Sequence, residues 1–173
     1  MTTVLMKKYK MDFEKKVKSF KNIHLIILIS FTVCFLTVWF LLDVRNFWCA
    51  VIETPQLVML LQYAGIFLTL GGIVFGYQNY SRILKINKEK SLDIRHAAFI
   101  DAKKVQNCII YFLFLFDILL FILTGKKQFE LFTAVSLIVS AVNFPSKAKY
   151  LRDYEETEED YEASEEEISD SNS

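Results

Sequence analysis

The sequence predicts an all-α protein, a four-helix transmembrane bundle with both termini cytoplasmic. Three observations carry this expectation. Hydrophobic residues make up 53% of the 173 residues, and sixteen residues are Phe. The apolar residues fall into long runs, not the scattered pattern of a soluble core. The Lys and Arg residues collect in the segments that join alternate runs, as they do on the cytoplasmic side of membrane proteins.

Crossing ~30 Å of hydrocarbon takes about 17–25 helical residues. Four runs meet or approach that length: about 23–42, 56–77, 108–124 and 129–144. Each is expected to be helical, because lipid offers no partner to backbone N–H and C=O groups. The first run follows a basic stretch, as in a signal peptide. Its apolar core is longer than a signal peptide's, however, and no small-residue cleavage pattern follows, so it is read as a retained span.

Residues 1–22 form a basic N-terminal segment with seven lysines: Lys7, Lys8, Lys10, Lys15, Lys16, Lys18 and Lys21. The segment after the second run carries seven more bases between Arg82 and Lys104, and Lys147, Lys149 and Arg152 follow the fourth. Only Arg45, Lys126 and Lys127 lie on the other side. Trp39, Phe47 and Trp48 suit an outer interfacial belt, and Tyr77 and Tyr80 an inner one. Pro55 stands where a second helix would begin. Between spans two and three, Leu92, Phe99 and Val105 recur at near-helical spacing after Ser91, with Arg95, Lys103 and Lys104 on the other face. This pattern predicts an amphipathic cytoplasmic helix, lying on an anionic leaflet or extending the third span. The four residues GKKQ between spans three and four make those spans an antiparallel hairpin.

The domain order is therefore a basic segment (1–22), a membrane domain (23–152) and an acidic tail (153–173). The tail carries eleven Asp and Glu and no base, so self-repulsion predicts disorder, or docking on a basic surface. The three cysteines show no metal or disulfide framework. No phosphate loop, zinc motif or nucleophile elbow occurs, so no catalytic residue, cofactor or metal is assigned. His24 and His96 belong to no motif, and the DIRHAAFID cluster reads as a solvated surface. The expected partners are the lipid bilayer and a second copy or another membrane protein, not nucleic acid.

Small and polar residues form stripes along the spans. Gly65, Thr69, Gly72 and Gly76 share one face of the second span, and such faces let membrane helices approach closely. Thr133, Ser136, Ser140 and Asn143 share a face of the fourth, as do Ser30, Cys34 and Thr37 of the first. These stripes read as interior bundle packing, with a polar conduit or a homo-oligomer seam as the sharper alternatives. Asp117 stands among large apolar side chains in FLFLFDILLF. It lies seven residues before Thr124, and Ser136 lies seven after Phe129, so the hairpin brings the two level. Thr124 is one heptad from Asp117 and near its face. An aspartate at a helix centre costs roughly 2.5–3.5 kcal/mol, so Asp117 is expected to face the Ser136 stripe and not lipid. Desolvation favours its protonated form. Interhelical glue is the plainer role for it, and a proton or cation relay the sharper one.

The blocks QYAGIFLTLGGIVFGYQNYSRILK, NKEKSLDIRHAAFIDAK, ILTGKKQF and FPSKAKYLRDYEE, in that order, resemble a family of small four-transmembrane-helix proteins of Bacteroidetes-type bacteria. The resemblance spans about residues 20–156 and implies four spans and a bacterial inner membrane. It implies no activity. VQNC here stands where that family runs on to an acidic residue. The functional expectation is a non-enzymatic integral membrane protein acting as an interaction or accessory component. The alternative is a small ion, proton or solute carrier or channel subunit using Asp117, and a lipid-modifying enzyme ranks third.

Overall fold

The computed structural model describes residues 2–44, 52 and 54–154. The acidic tail from residue 155, and Phe47, Trp48 and Cys49 of the outer loop, lie outside these described residues. All regular structure among them is helical: α1 (Thr2–Trp39), α2 (Pro55–Asn87), α3 (Leu92–Thr124), α4 (Lys127–Val142) and α5 (Lys147–Tyr154). A wider helical turn at Phe40–Val44 follows α1.

The helix ends follow from local chemistry. Pro55 opens α2, where its missing N–H costs nothing. Gly125 closes α3 with φ of 67°, a left-handed conformation that glycine adopts without strain, and its N–H donates to the Phe121 carbonyl at 2.9 Å. Pro145 stands in the break between α4 and α5, since proline cannot continue the α4 ladder. Ser146 caps α5, its Oγ accepting from the Lys149 N–H at 3.1 Å.

The structure chooses between the alternatives for one segment and corrects the sequence reading of others. Of the two arrangements expected for the amphipathic stretch after Ser91, the structure has the second: it forms the first turns of α3, which runs unbroken to Thr124. Leu92 and Phe99 lie on its buried face as expected, but two residues exchange sides: Lys103 is buried and Val105 is exposed. Three helices are long and apolar enough to cross a membrane, whereas α4 has 16 residues. At 1.5 Å per residue α4 rises about 24 Å, short of a full hydrocarbon thickness.

The chain divides into two compact units. One comprises Met1–His24, Asn79–Lys104 and Phe144–Ser173. Its core gathers Phe13 and Val17 from α1, Tyr80 and Leu84 from α2, Phe99 from α3, and Tyr150 and Tyr154 from α5. Tyr80, assigned by the sequence reading to an interfacial belt, is buried here and donates its hydroxyl hydrogen to Asp153 Oδ2 at 2.6 Å.

The second unit comprises Leu25–Gln78 and Val105–Asn143. Its α1 stretch buries no side chain fully, but Ile27, Phe31, Phe35, Val38 and Leu42 form a half-buried seam at three- and four-residue spacing. Phe31 stacks on Phe114 with ring centroids 4.2 Å apart. Outward-facing side chains are large and apolar, among them Ile26, Phe67, Phe112, Leu131 and Ile138, as lipid contact requires.

Close approach of α2, α3 and α4 rests on the α2 glycines. A Cβ on Gly65 would stand 2.5 Å from the Phe129 ring, and one on Gly72 would stand 2.9 Å from Leu113. Gly76 meets Ile109 and Gln106 at ordinary van der Waals distance, while a Cβ on Gly71 would meet nothing within 4 Å. Gly65→Ala is therefore expected to destabilise the protein by roughly 1–3 kcal/mol, because an aromatic ring must move. Gly71→Ala should be neutral or gain up to about 1 kcal/mol of helix propensity. Thermal unfolding in detergent measures both, and Phe129→Leu should partly rescue Gly65→Ala.

Candidate functional site: a buried polar seam

The seam lies within the second unit, on facing sides of α2, α3 and α4. Along α4 the polar residues Thr133, Ser136 and Ser140 fall at three- and four-residue intervals, with Asn143 at its C-cap, and all four are buried. The 3.6-residue period explains this: one stripe of the helix faces its neighbours while Leu131 and Ile138 face out. On α2 the inward face carries Gly65, Thr69, Gly72 and Gly76, and Thr69 is fully buried. Asp117 of α3 meets both faces and is itself fully buried.

The Asp117 carboxyl takes one hydroxyl on each oxygen. Thr69 Oγ1 donates to Oδ1 at 2.8 Å, and Ser136 Oγ donates to Oδ2 at 3.5 Å. The Thr69 bond has ordinary O–H···O geometry, whereas the Ser136 bond sits at the long limit and is the weaker of the two. Asp117 thus ties three helices, not the two of the predicted hairpin.

The other candidates are placed differently. Thr124 and Thr133 lie on the same side of their helices but donate to their own backbones, to the Leu120 and Phe129 carbonyls at 2.7 Å each. Thr124 Oγ1 also accepts from the Lys126 N–H at 3.4 Å, which ties the α3–α4 turn. Ser140 is buried between the Asp117 level and the far end of the stripe. There Asn143 Nδ2 donates to the Tyr77 hydroxyl at 2.9 Å and to the Val139 carbonyl at 3.0 Å. Gln106 and Asn107 add two more buried amides on α3.

One predicted stripe is not interior. Ser30, Cys34 and Thr37 of α1 are exposed on the outward side. Ser30 and Thr37 donate to carbonyls four residues back, at 2.9 and 2.8 Å. A hydroxyl closed on its own helix costs little in lipid, so this stripe needs no partner helix.

Sequence reasoning missed Thr69 as the main partner of Asp117 and counted it only as a small packing residue. Its depth misled: Thr69 is much farther from the start of the second run than Asp117 is from the end of the third. It also missed Tyr77, whose hydroxyl is spent on Asn143 inside the unit. The available signal was the single hydroxyl among three glycines on the inward face of α2.

The geometry sets an order of stabilities. Thr69→Val should cost roughly 0.6–1.7 kcal/mol, the range for interhelical hydrogen bonds in membranes. Ser136→Ala should cost less, and Ser30→Ala should change nothing measurable. Equilibrium unfolding in mixed micelles, followed by helicity, tests the ranking.

No family model, curated protein or solved structure matches the chain.

Proposed function

We propose that the protein is a multi-pass integral membrane protein of a bacterial inner membrane, non-enzymatic, acting as an accessory component that presents a folded cytoplasmic head to a protein partner. In this reading α4 returns the chain across the bilayer, giving four crossings with both termini cytoplasmic. The observation that carries it is the common core of Phe13, Tyr80, Leu84, Phe99 and Tyr150. Residues that share one core share one side of a membrane. The segments that build this core are also those that hold seventeen of the twenty Lys and Arg, which supports the cytoplasmic assignment.

A chain that devotes three separate segments to a packed extramembrane unit has a defined surface to offer. Arg82, Lys85 and Lys88 are exposed near the end of α2 and give that surface positive charge. A partner with an acidic face fits it, and such contacts weaken as salt rises. The seam around Asp117 then acts as interhelical glue, since both carboxyl oxygens accept hydroxyls from within the unit.

A proton or ion carrier is the second reading. It is favoured by the run of buried polar side chains from Thr133 through Ser136 and Ser140 to Asn143, with Asp117 beside it. One pair of experiments separates the two. Reversing the exposed charges (Arg82→Glu, Lys85→Glu, Lys88→Glu) is expected to abolish in-cell crosslinks to a partner while leaving the membrane fold intact. Asp117→Asn is expected to leave both those crosslinks and the proton permeability of proteoliposomes unchanged. A proton leak through the wild type that Asp117→Asn removes supports the carrier instead.

A further inference from the structure

The extramembrane unit holds two bases in contact with α5. Lys103 is fully buried, with its ammonium nitrogen 3.9 Å from the centre of the Tyr80 ring. The Tyr80 hydroxyl donates to Asp153 of α5 at 2.6 Å, which joins α5 to the ring that covers Lys103. The charged groups facing Lys103 are Lys149, Asp153 and Arg152, all from α5. His96 lies nearly parallel to the Phe13 ring, centroids 3.6 Å apart, and the Tyr150 ring of α5 meets it edge-on at 5.1 Å. The charges facing His96 are Arg95 beside it and Lys16 of α1. A last tie joins the Tyr154 hydroxyl to the Arg95 carbonyl at 3.3 Å. Thus α5 packs on both bases and closes the core made by α1, α2 and α3.

We propose that α5 is a proton-released clasp, which holds the three segments of this unit together while His96 and Lys103 are uncharged and loosens when these bases take up protons.

Both bases precede Cys108, where the apolar run of α3 begins. Burial, with the nearby Lys149 charge, lowers the Lys103 amine from 10.5 to about 7, and Asp153 only partly opposes this. Burial, then Arg95 and Lys16, lowers the His96 imidazole from 6.5 to about 3. Releasing α5 wets both groups and returns them toward their ordinary values. Between pH 10.5 and about 7 the released state binds more protons at Lys103, so docking weakens as pH falls through that window. Below about 7 the docked Lys103 is protonated too and adds no further loss, while His96 continues the loss from pH 6.5 toward about 3. The phenols of Tyr80 and Tyr154 are both pushed up by burial, so they stay protonated throughout. Acidification therefore acts first on Lys103 and then on His96, in one direction.

The test is hydrogen exchange of the full-length protein in nanodiscs at pH 8.5 and pH 6.0, corrected for intrinsic exchange rates. Protection of the amides of residues 147–154 is expected to fall at least about tenfold on acidification, as linkage through the two bases requires. Protection of residues 108–124 is expected to stay constant. Lys103→Met keeps the buried stem without the titrating amine and should flatten most of this dependence. Lys149→Gln, at a half-buried α5 position, leaves the core intact and removes a charge that holds the docked Lys103 amine down, so it should shrink the loss between pH 8.5 and pH 6.0. Equal corrected protection at both pH values overturns the proposal. So does a parallel loss across residues 108–124, which marks global unfolding and not release of α5.

Discussion

The membrane unit is organised around the cost of placing one carboxyl group away from water. Among the described residues of the apolar spans, Asp117 is the only acid or base at mid-helix. The surrounding Phe114, Ile118, Leu120 and Phe121 offer it nothing polar except their own satisfied backbone. Neighbouring helices must supply the donors, and this fixes which faces of α2 and α4 turn inward. Once Thr69 and Ser136 point at Asp117, the 3.6-residue period turns Gly65, Gly72 and Gly76 inward on α2, and Thr133 and Ser140 inward on α4. Glycine packing and the polar stripe are thus two consequences of one constraint. Close approach lets short hydroxyls reach the carboxyl, and the hydroxyls make close approach worthwhile.

The unit closed by α5 is stabilised differently. Its core is aromatic, with Phe13, Tyr80, Phe99, Tyr150 and Tyr154 in contact, and two bases are folded into it. The Tyr80 ring covers the Lys103 amine at 3.9 Å, and burial there favours its uncharged form. In the proposed topology water surrounds this unit, so burying apolar rings is favourable in itself. In the membrane unit lipid removes that driving force, and packing and hydrogen bonds carry the specificity.

The legible parts of the sequence were those governed by length, charge and period. Long apolar runs marked the helices, Pro55 marked the start of α2, and hairpin register put Ser136 beside Asp117. The illegible parts depended on where one helix meets another. The spacing of Ser30, Cys34 and Thr37 resembles that of the α4 stripe, yet it faces out, and i−4 carbonyls permit this by satisfying its hydroxyls locally. Lys103 reads as a surface cation by residue type, and only the convergence of α2 and α5 on α3 explains its burial. Gln106 and Asn107 likewise look like helix-surface residues, yet both are buried. The amphipathic stretch after Ser91 was read correctly as helical, but its continuity with the third span was one of two open alternatives, since no Pro or Gly marks either choice.

Asp117 and Thr69 are expected to be energetically coupled across α2 and α3. A double-mutant cycle with Asp117→Leu and Thr69→Val, read by equilibrium unfolding in bicelles, measures that coupling directly. The account predicts a favourable coupling of roughly 0.6–1.7 kcal/mol. Additive effects of the two substitutions, with no coupling between them, contradict it.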